Sequence, residues 1–300
     1  MSKSFYLAFT TLGLVMSLIS CDQEDNTLDE SDLYTQIPDK SFEAQLITQG
    51  IDSDTTINQR ILKSDAESVS RLILDASQDT VIVDLSGIEG FTNLTFLSAS
   101  FNDFTTIDLS NNVLLDSVSM IANLLTEIDF TQNENLVYIQ LESNELTKID
   151  GLSDKPKLKN VQLSFNYLEA LDVSNSAVQR LFASDNDITA IDLSGASDLK
   201  NIFLKTNDLE SIDLSTNPLV ETLVLSDNKL QSLSLAENQL IEYLWISSNS
   251  LTNLDVSGLP SLIHLTIHNN PDLSCVKVGE DQDIPTVTKN DNQQLSEGCE

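Results

Sequence analysis

The stretch LKNIFLKTNDLESIDL, from Leu199 to Leu214, carries the pattern on which the fold depends. Its asparagine belongs to a series of nine that recurs at intervals of 20 to 22 residues. The nine are Asn102, Asn123, Asn144, Asn166, Asn186, Asn207, Asn228, Asn249 and Asn270. A near-constant period of this length is typical of a solenoid, in which each unit is one coil stacked on its neighbours.

Apolar residues keep fixed distances from each asparagine. Because one coil cannot bury its own apolar edge, these residues must stack into continuous columns. The column five residues before each asparagine is Leu97, Val118, Ile139, Val161, Leu181, Ile202, Leu223, Leu244 and Leu265. The column two residues after it is Phe104, Leu125, Leu146, Leu168, Ile188, Leu209, Leu230 and Leu251. The column five residues after it is Ile107, Ile128, Ile149, Leu171, Ile191, Ile212, Leu233 and Leu254.

This frame resembles the leucine-rich repeat, whose period is about 20–29 residues. The resemblance implies an α/β-type solenoid, a horseshoe with a parallel sheet on its concave side, built over residues 81–274. An inward-pointing asparagine is tolerated only if its donors and acceptor are paired. We therefore predict that the nine asparagines bind backbone groups of the turns that end the strands, and that none is a ligand site.

The amino terminus has features of export. Lys3 precedes an apolar run from Phe5 to Ile19, which predicts a signal peptide over residues 1–20. The sequence LISC, ending at Cys21, resembles the lipobox of bacterial lipoproteins, which implies that Cys21 carries lipid. An ordinary signal peptide with a free Cys21 is the alternative. Residues 21–37 contain six acids and no base, and such a segment is predicted to be a flexible tether.

Both ends of the repeat array are expected to be capped. Phe42, Leu46 and Ile47 have helical spacing before Gly50, and Ser64 to Glu67 have capping-box form, so residues 38–80 are predicted to be a helical N-terminal cap. Besides Cys21 the chain has two cysteines, Cys275 and Cys299. An even number of cysteines in an exported chain predicts a disulfide between them. That disulfide would close a C-terminal cap over residues 275–300.

Three segments extend the resemblance over the whole mature chain. They are IPDKSFEAQLITQGIDSD (37–54), DLSGIEGFTNLTFL (84–97) and NNPDLSCVKV (269–278), followed by Cys299. They are similar to secreted leucine-rich-repeat proteins of Bacteroidetes, relatives in architecture of the internalin-type repeats. Gln23, Glu24 and Asp25 also look like the surface-export signals of lipoproteins from that group. The resemblance implies an exported recognition module, lipid-anchored in the outer membrane at the cell surface, but it names no ligand.

The charge narrows the choice of partners. The chain has 15 basic and 47 acidic residues, a formal net charge of −32. Nucleic acid is excluded as a partner because its affinity comes from pairing phosphates with Lys and Arg. An anionic membrane would attract this chain only through the lipid. We expect one elongated domain and a monomer.

Seven aspartates lie six residues after their asparagines, and each has two interpretations. In one, each carboxylate accepts amide bonds within its own turn; in the other, the stacked carboxylates bind calcium. Asp52, Asp54 and Asn58 also begin like a calcium loop, but Ile57 and Lys63 replace the expected Gly and Glu. We predict no metal site and no cofactor. The seven aspartates are Asp108, Asp129, Asp150, Asp172, Asp192, Asp213 and Asp255.

The outward side chains of the predicted strands define a candidate binding surface. Side chains alternate across a strand, so the residues four before each asparagine cannot belong to the core. Phe182, Phe203 and Trp245 lie in this column, which predicts one row of rings. An exposed aromatic row favours recognition, although it could also only stabilise neighbouring strands. The predicted ligand-binding residues are Phe182, Phe203, Val224, Tyr243, Trp245, His264, Arg180 and Lys205.

These residues favour a non-catalytic module that binds a protein ligand, with a glycan as the alternative ligand. Aromatic rings could stack on sugars, whereas rings edged by Arg180 and Lys205 are typical of a protein hot spot. An enzyme acting on polysaccharides is a remote alternative. Its carboxylates would be Glu142, Asp185 and Asp227, which lie on separate coils.

Overall fold

The computed structural model describes residues 33–77, 80–174 and 177–299. The predicted signal peptide, Cys21 and residues 21–32 of the predicted tether lie outside these ranges. No helix within them has the length and apolar character needed to cross a membrane.

The described residues form a solenoid around one parallel sheet of eleven strands, which we call the main sheet. Neighbouring strands pair without a shift in register. Leu181 lies opposite Ile202, for example, and Ile202 lies opposite Leu223. Residues that hold the same position in successive coils are therefore stacked directly on one another.

The strands of the main sheet are short, and each one supplies the rung of one coil. In spatial order they are Arg71–Ile73, Phe96–Ser98, Ser117–Ser119, Tyr138–Gln140, Asn160–Gln162, Arg180–Phe182, Asn201–Phe203, Thr222–Val224, Tyr243–Trp245, His264–Thr266 and Thr286–Thr288. Smaller parallel sheets lie elsewhere on the coils. They consist of Glu127–Asp129 with Lys148–Asp150, Ala170–Asp172 with Ala190–Asp192, and Leu254–Asp255 with Cys275–Lys277 and Gln294–Ser296.

The main sheet extends beyond the predicted repeat boundaries of 81–274 at both ends. Arg71–Ile73 pairs with Phe96–Ser98, within the region predicted to be the N-terminal cap. Thr286–Thr288 pairs with His264–Thr266, within the region predicted to be the C-terminal cap. The sequence assigned these two regions to caps, from helical spacing at one end and from Cys275 and Cys299 at the other, so the sheet was not expected to enter them. At the C-terminal end, Gln293 is buried and donates to the carbonyls of Ile267 and Asn270 at 3.2 and 3.3 Å.

The predicted tether of residues 21–37 ends too late. Tyr34–Gln36 is a strand that pairs antiparallel with Arg60–Leu62, and Ile37 is fully buried. The Arg60 guanidinium lies 4.2 Å from the centre of the Tyr34 ring. The prediction followed the acidic composition of the whole segment. It did not anticipate that the last residues, which are not acidic, pair with a strand that is distant in the sequence.

In the part of the chain that the structure describes, two short helices lie before Arg71–Ile73. The helix Lys40–Thr48 begins after Asp39, which accepts from the Ser41 and Phe42 amides at 2.7 and 3.0 Å. Gly50 follows its end with φ of 70°, as predicted for a helix stop. The predicted capping box at residues 64–67 is wrong, because the N-cap of the second helix, Lys63–Glu67, is Leu62 instead of Ser64, and no side chain caps it. A 3₁₀ helix spans Ile88–Gly90.

The predicted apolar columns form the core. Every member of the columns five before and two after the asparagines has an exposed fraction of 0%. The third column is less uniform, because Ile107, Ile149, Ile191 and Ile212 are only partly buried against that core. The disulfide predicted between Cys275 and Cys299 is present, with their Cα atoms 5.7 Å apart.

The asparagine ladder is confirmed as a structural element. All nine side chains are buried, with exposed fractions between 2 and 8%. Asn207 shows the common pattern: it accepts from the Ile188 amide at 3.0 Å and donates to the carbonyls of Ala183 and Leu204 at 2.9 and 3.1 Å. Each asparagine therefore joins its own turn to the coil before it.

A second buried ladder was not predicted from the sequence. Its members donate to carbonyls of the preceding coil; Asn217, for example, bonds to Leu193 and Ala196 at 3.1 and 2.9 Å. Lys155 is also buried and donates to the Thr131 carbonyl at 3.2 Å. Different residue types occupy this column in different coils, so no single residue type recurs in it at a fixed interval. Its asparagines are Asn112, Asn133, Asn217 and Asn238.

Candidate functional site

The outward side chains of the main sheet form the candidate binding surface, which we call the sheet face. Its residues alternate with the buried column, as the fully buried Leu244 does between Tyr243 and Trp245. The aromatic residues predicted to bind a ligand are half-buried, whereas Arg180 and Lys205 are exposed. The structure therefore places the candidate residues outside the core, on one face of neighbouring strands.

The aromatic side chains form two clusters instead of the single row predicted. Phe182 and Phe203 stack across adjacent strands, with ring centroids 4.6 Å apart and an angle of 12°. Val224 follows on the next strand and has no ring, so the stack ends there. Trp245 stacks on Tyr243 of its own strand, with centroids 5.5 Å apart and an angle of 8°.

His264 extends the second cluster. Its ring centroid lies 4.9 Å from that of Trp245, and its Nε2 lies 3.1 Å from the Thr266 hydroxyl. His268 lies two residues beyond Thr266, and its Nδ1 is buried without a hydrogen-bond partner in the described part of the chain. The second cluster thus has imidazole nitrogens at its edge.

An open depression of about 600 Å³ lies between the two clusters. Phe203, Val224 and Trp245 supply its apolar wall. Its polar wall consists of Lys205, Ser226, Asp227, Ser247, Ser248, Thr266, His268 and Asn269. A concavity that combines an apolar wall with polar groups can both bind a ligand and fix its orientation. Six of these residues were not among the predicted ligand-binding residues, namely Ser226, Ser247, Ser248, Thr266, His268 and Asn269. Ser248 and Asn269 belong to the column directly before the asparagines, which the strand pattern does not cover.

The two candidate cations already have partners. The Lys205 ammonium lies 3.7 Å from Asp227, and both side chains are about half exposed, at 52 and 44%. Arg180 donates to the Asn160 side chain at 3.2 Å. An exposed ion pair of this kind contributes only about 0–1 kcal/mol, so a ligand could displace Asp227 at small cost.

The other half of the sheet face is polar. Ser119 donates to Gln140 at 3.2 Å, Gln140 donates to Gln162 at 3.3 Å, and Gln162 donates to the Tyr138 hydroxyl at 3.0 Å. Glu142 lies beside this chain, and its buried Oε2 has no partner among the described residues. Burial raises the pKa of Glu142 above its ordinary value.

We predict that Glu142→Gln stabilises the protein at neutral pH. A raised pKa in the folded state means that the ionised carboxylate is disfavoured there, so the wild type gains stability as the pH falls through that pKa. The gain of the variant over the wild type should therefore be largest at neutral pH and vanish below the ordinary value of 4.5. Melting temperatures measured across this range would check it. A variant that is less stable at neutral pH would show that the charge is stabilising.

The aspartate column follows the first of its two interpretations in six of seven coils. Asp108, for example, accepts from the Ser110 amide at 2.9 Å, and a bond from the amide two residues on recurs at Asp129, Asp172, Asp192, Asp213 and Asp255. Hydrogen bonds from the serine two residues on lower the pKa of Asp108 and Asp213. The bond from the serine amide has the larger effect, and the bond from its hydroxyl has the smaller one. The remaining aspartate of the column, Asp150, forms an ion pair with Lys148.

The loop that begins like a calcium site is held by its own hydrogen bonds. Asp54 accepts from the Thr56 amide and from the Asn58 side chain, both at 2.8 Å. Asp52 is 1% exposed, and burial raises its pKa. Across residues 33–77, 80–174 and 177–299, no group of three or more His, Cys, Asp or Glu side chains is placed to hold a metal ion.

Comparison with known proteins defines the class of fold. No family model and no curated protein matches the sequence. The functional domain of InlJ from Listeria monocytogenes, which includes a cysteine ladder, is similar in structure, with a TM-score of 0.71 and 25% identity over 85% of this chain. This chain corresponds to 61% of that InlJ chain, so it spans about three fifths of its length.

Two other solved structures have the same architecture. The leucine-rich-repeat domain of APL1B has a TM-score of 0.52 and 26% identity, covering 72% of this chain and 65% of its own. A chain of the LRIM1/APL1C complex has a TM-score of 0.58 and 25% identity, covering 78% of this chain and 46% of its own. The fold is therefore a parallel solenoid of about eleven turns that matches leucine-rich-repeat proteins, internalins among them.

Proposed function

We propose that this protein is a non-catalytic recognition module that binds a protein ligand through the sheet face. The observation that carries the proposal is the depression between the aromatic clusters, where Phe203, Val224 and Trp245 are only half-buried. Aromatic side chains offer a large contact area at a low entropic cost, and they dominate the binding energy of many interfaces. A solenoid also presents a long continuous surface to its ligand.

Two features favour a protein over a glycan. Charges of both signs, on Lys205 and Asp227, lie at the rim of the depression, where they can pair with charges on a protein. One structural neighbour was solved as part of a complex of two proteins, LRIM1 and APL1C. A glycan remains the second candidate, because the nearly coplanar rings of Tyr243 and Trp245 form a platform on which a sugar ring could stack.

The proposal includes export and anchoring. The apolar run before Cys21 and its lipobox-like context support removal of residues 1–20, lipid on Cys21 and a place in the outer membrane at the cell surface. The helix Lys40–Thr48 and the Cys275–Cys299 loop would cap the two ends of a monomeric solenoid. Polysaccharide cleavage stays a remote alternative, since Asp227, one of its candidate carboxylates, is paired with Lys205.

A titration at low and high salt tests the ligand class. The purified chain beginning at residue 21 would be titrated with a panel of soluble oligosaccharides and with fractionated cell-surface proteins. We expect saturable binding to a protein fraction that weakens at high salt and weakens further in a double variant, Arg180→Gln with Lys205→Gln. Binding to an oligosaccharide without salt dependence would select the glycan instead. Turnover of a polysaccharide would contradict the non-catalytic assignment.

A further inference from the structure

A second group of exposed aromatic residues lies outside the sheet face. Phe101, Phe165 and Tyr167 have exposed fractions of 62, 58 and 56%, and Leu124 has 39%. Each of them directly precedes or follows a ladder asparagine. They therefore lie along one edge of the solenoid, just beyond the ends of the main-sheet strands, and we call these four residues the lateral strip.

The backbone conformation at Phe101 and Phe165 does not favour an aromatic side chain. The residue before each ladder asparagine has a positive φ, 63° at Phe101 and 61° at Phe165. A bulky residue is disfavoured in this left-handed region. The same position in the other coils holds smaller side chains, namely Ala122, Ser143, Asp185, Thr206, Asp227, Ser248 and Asn269. Because both phenylalanine rings are also mostly exposed, folding does not account for them.

The charges around the lateral strip are of one sign. Asp103, Glu145 and Asp187 follow their ladder asparagines and are exposed. Glu145 lies on the coil between those of Leu124 and Tyr167, and Asp187 lies on the coil after Tyr167. None of the three takes part in an ion pair found in the described chain. Phe101 and Phe165 are three coils apart, about 14 Å at the ordinary strand spacing. The strip thus alternates apolar side chains with negative charges over a length that suits a short peptide segment.

We propose that the lateral strip docks a basic segment of a partner protein, separately from the ligand of the sheet face. Apolar side chains of that segment would pack on Phe165 and Tyr167, while its Lys or Arg side chains would pair with Glu145 and Asp187. Arginine can also lie over an aromatic ring, which adds a cation–π contact. The acidic residues make an anionic lipid surface an unfavourable occupant.

The test uses a short synthetic peptide of alternating arginine and leucine, with a glutamine-for-arginine peptide as its control. The double variant Phe165→Ser with Tyr167→Ser should bind the basic peptide about tenfold more weakly, the effect of losing one good contact. Serine occupies both columns in other coils, at Ser143 and Ser250, so the variant should fold. A matched variant, Leu219→Ser with Leu240→Ser, removes apolar residues that are 38 and 45% exposed elsewhere and should bind normally.

Two results would overturn the proposal. Equal binding by the Phe165/Tyr167 variant and the wild type would mean that the peptide binds only through the overall acidity of the chain. Binding of the wild type to neutral phosphatidylcholine vesicles, lost in the same variant, would assign the rings to a lipid surface. The Trp245→Ala variant should bind the basic peptide normally, so failure of the sheet-face proposal would be seen separately.

Discussion

Replacing Asn207 with alanine should lower the free energy of unfolding by about 1–3 kcal/mol, the cost of a buried group left without its partner. The variant leaves the Ile188 amide without its acceptor, at 3.0 Å in the wild type. The Ala183 and Leu204 carbonyls each lose one donor but keep a second, from Asn186 and Asn228. These groups lie inside the solenoid, where water cannot replace the lost bonds. Urea denaturation followed by circular dichroism would measure the change.

An exposed asparagine provides the control for this prediction. Asn253 lies at the surface, and its replacement by alanine should change the free energy of unfolding by no more than about 0.5 kcal/mol. A similarly small loss for Asn207→Ala would contradict the structural role of the ladder and reopen these positions as sites for a ligand.

Replacing Trp245 with alanine should weaken binding to the sheet-face ligand by about 30-fold or more, the loss expected for a hot-spot residue worth at least about 2 kcal/mol. Trp245 supplies part of the apolar wall of the depression and stacks on Tyr243 at 5.5 Å. The ligand identified in the salt titration would be used, and affinity would be measured by calorimetry.

Two variants make the Trp245 result specific. Trp245→Phe keeps a ring and should retain most of the affinity, whereas Leu240→Ala removes an exposed apolar residue on another surface and should retain all of it. Equal affinity of the Trp245→Ala variant and the wild type would show that the depression is not part of the binding surface.

The period of the asparagines made the fold predictable from the sequence. A single residue type at a fixed interval sets the register of every coil, and the register then determines which side chains enter the core. The ends were less predictable. Arg71–Ile73 joins the main sheet with Ser77 in place of the asparagine, and Asn292, which holds that position after Thr286–Thr288, is exposed. The second ladder was not predictable for a related reason, since Lys155 interrupts its asparagines.

The candidate site was predictable in position but not in arrangement. Alternation along the strands placed Phe182, Phe203 and Trp245 on the outward face, but it gave no information on how their rings turn. Val224 leaves a gap in the row, and Trp245 stacks on its own strand instead of reaching across it. The pairing of Lys205 with Asp227 also depends on a contact between coils that the strand pattern does not include.

The emission of Trp245 gives the most direct test of the sheet face as a binding surface, because this residue is the only tryptophan in the chain. Emission and acrylamide quenching would be recorded for the chain beginning at residue 21, alone and saturated with its ligand. We expect emission from a partly exposed indole that acrylamide quenches, and protection from quenching when the ligand binds. Blue emission that resists acrylamide and does not respond to any ligand would contradict this expectation.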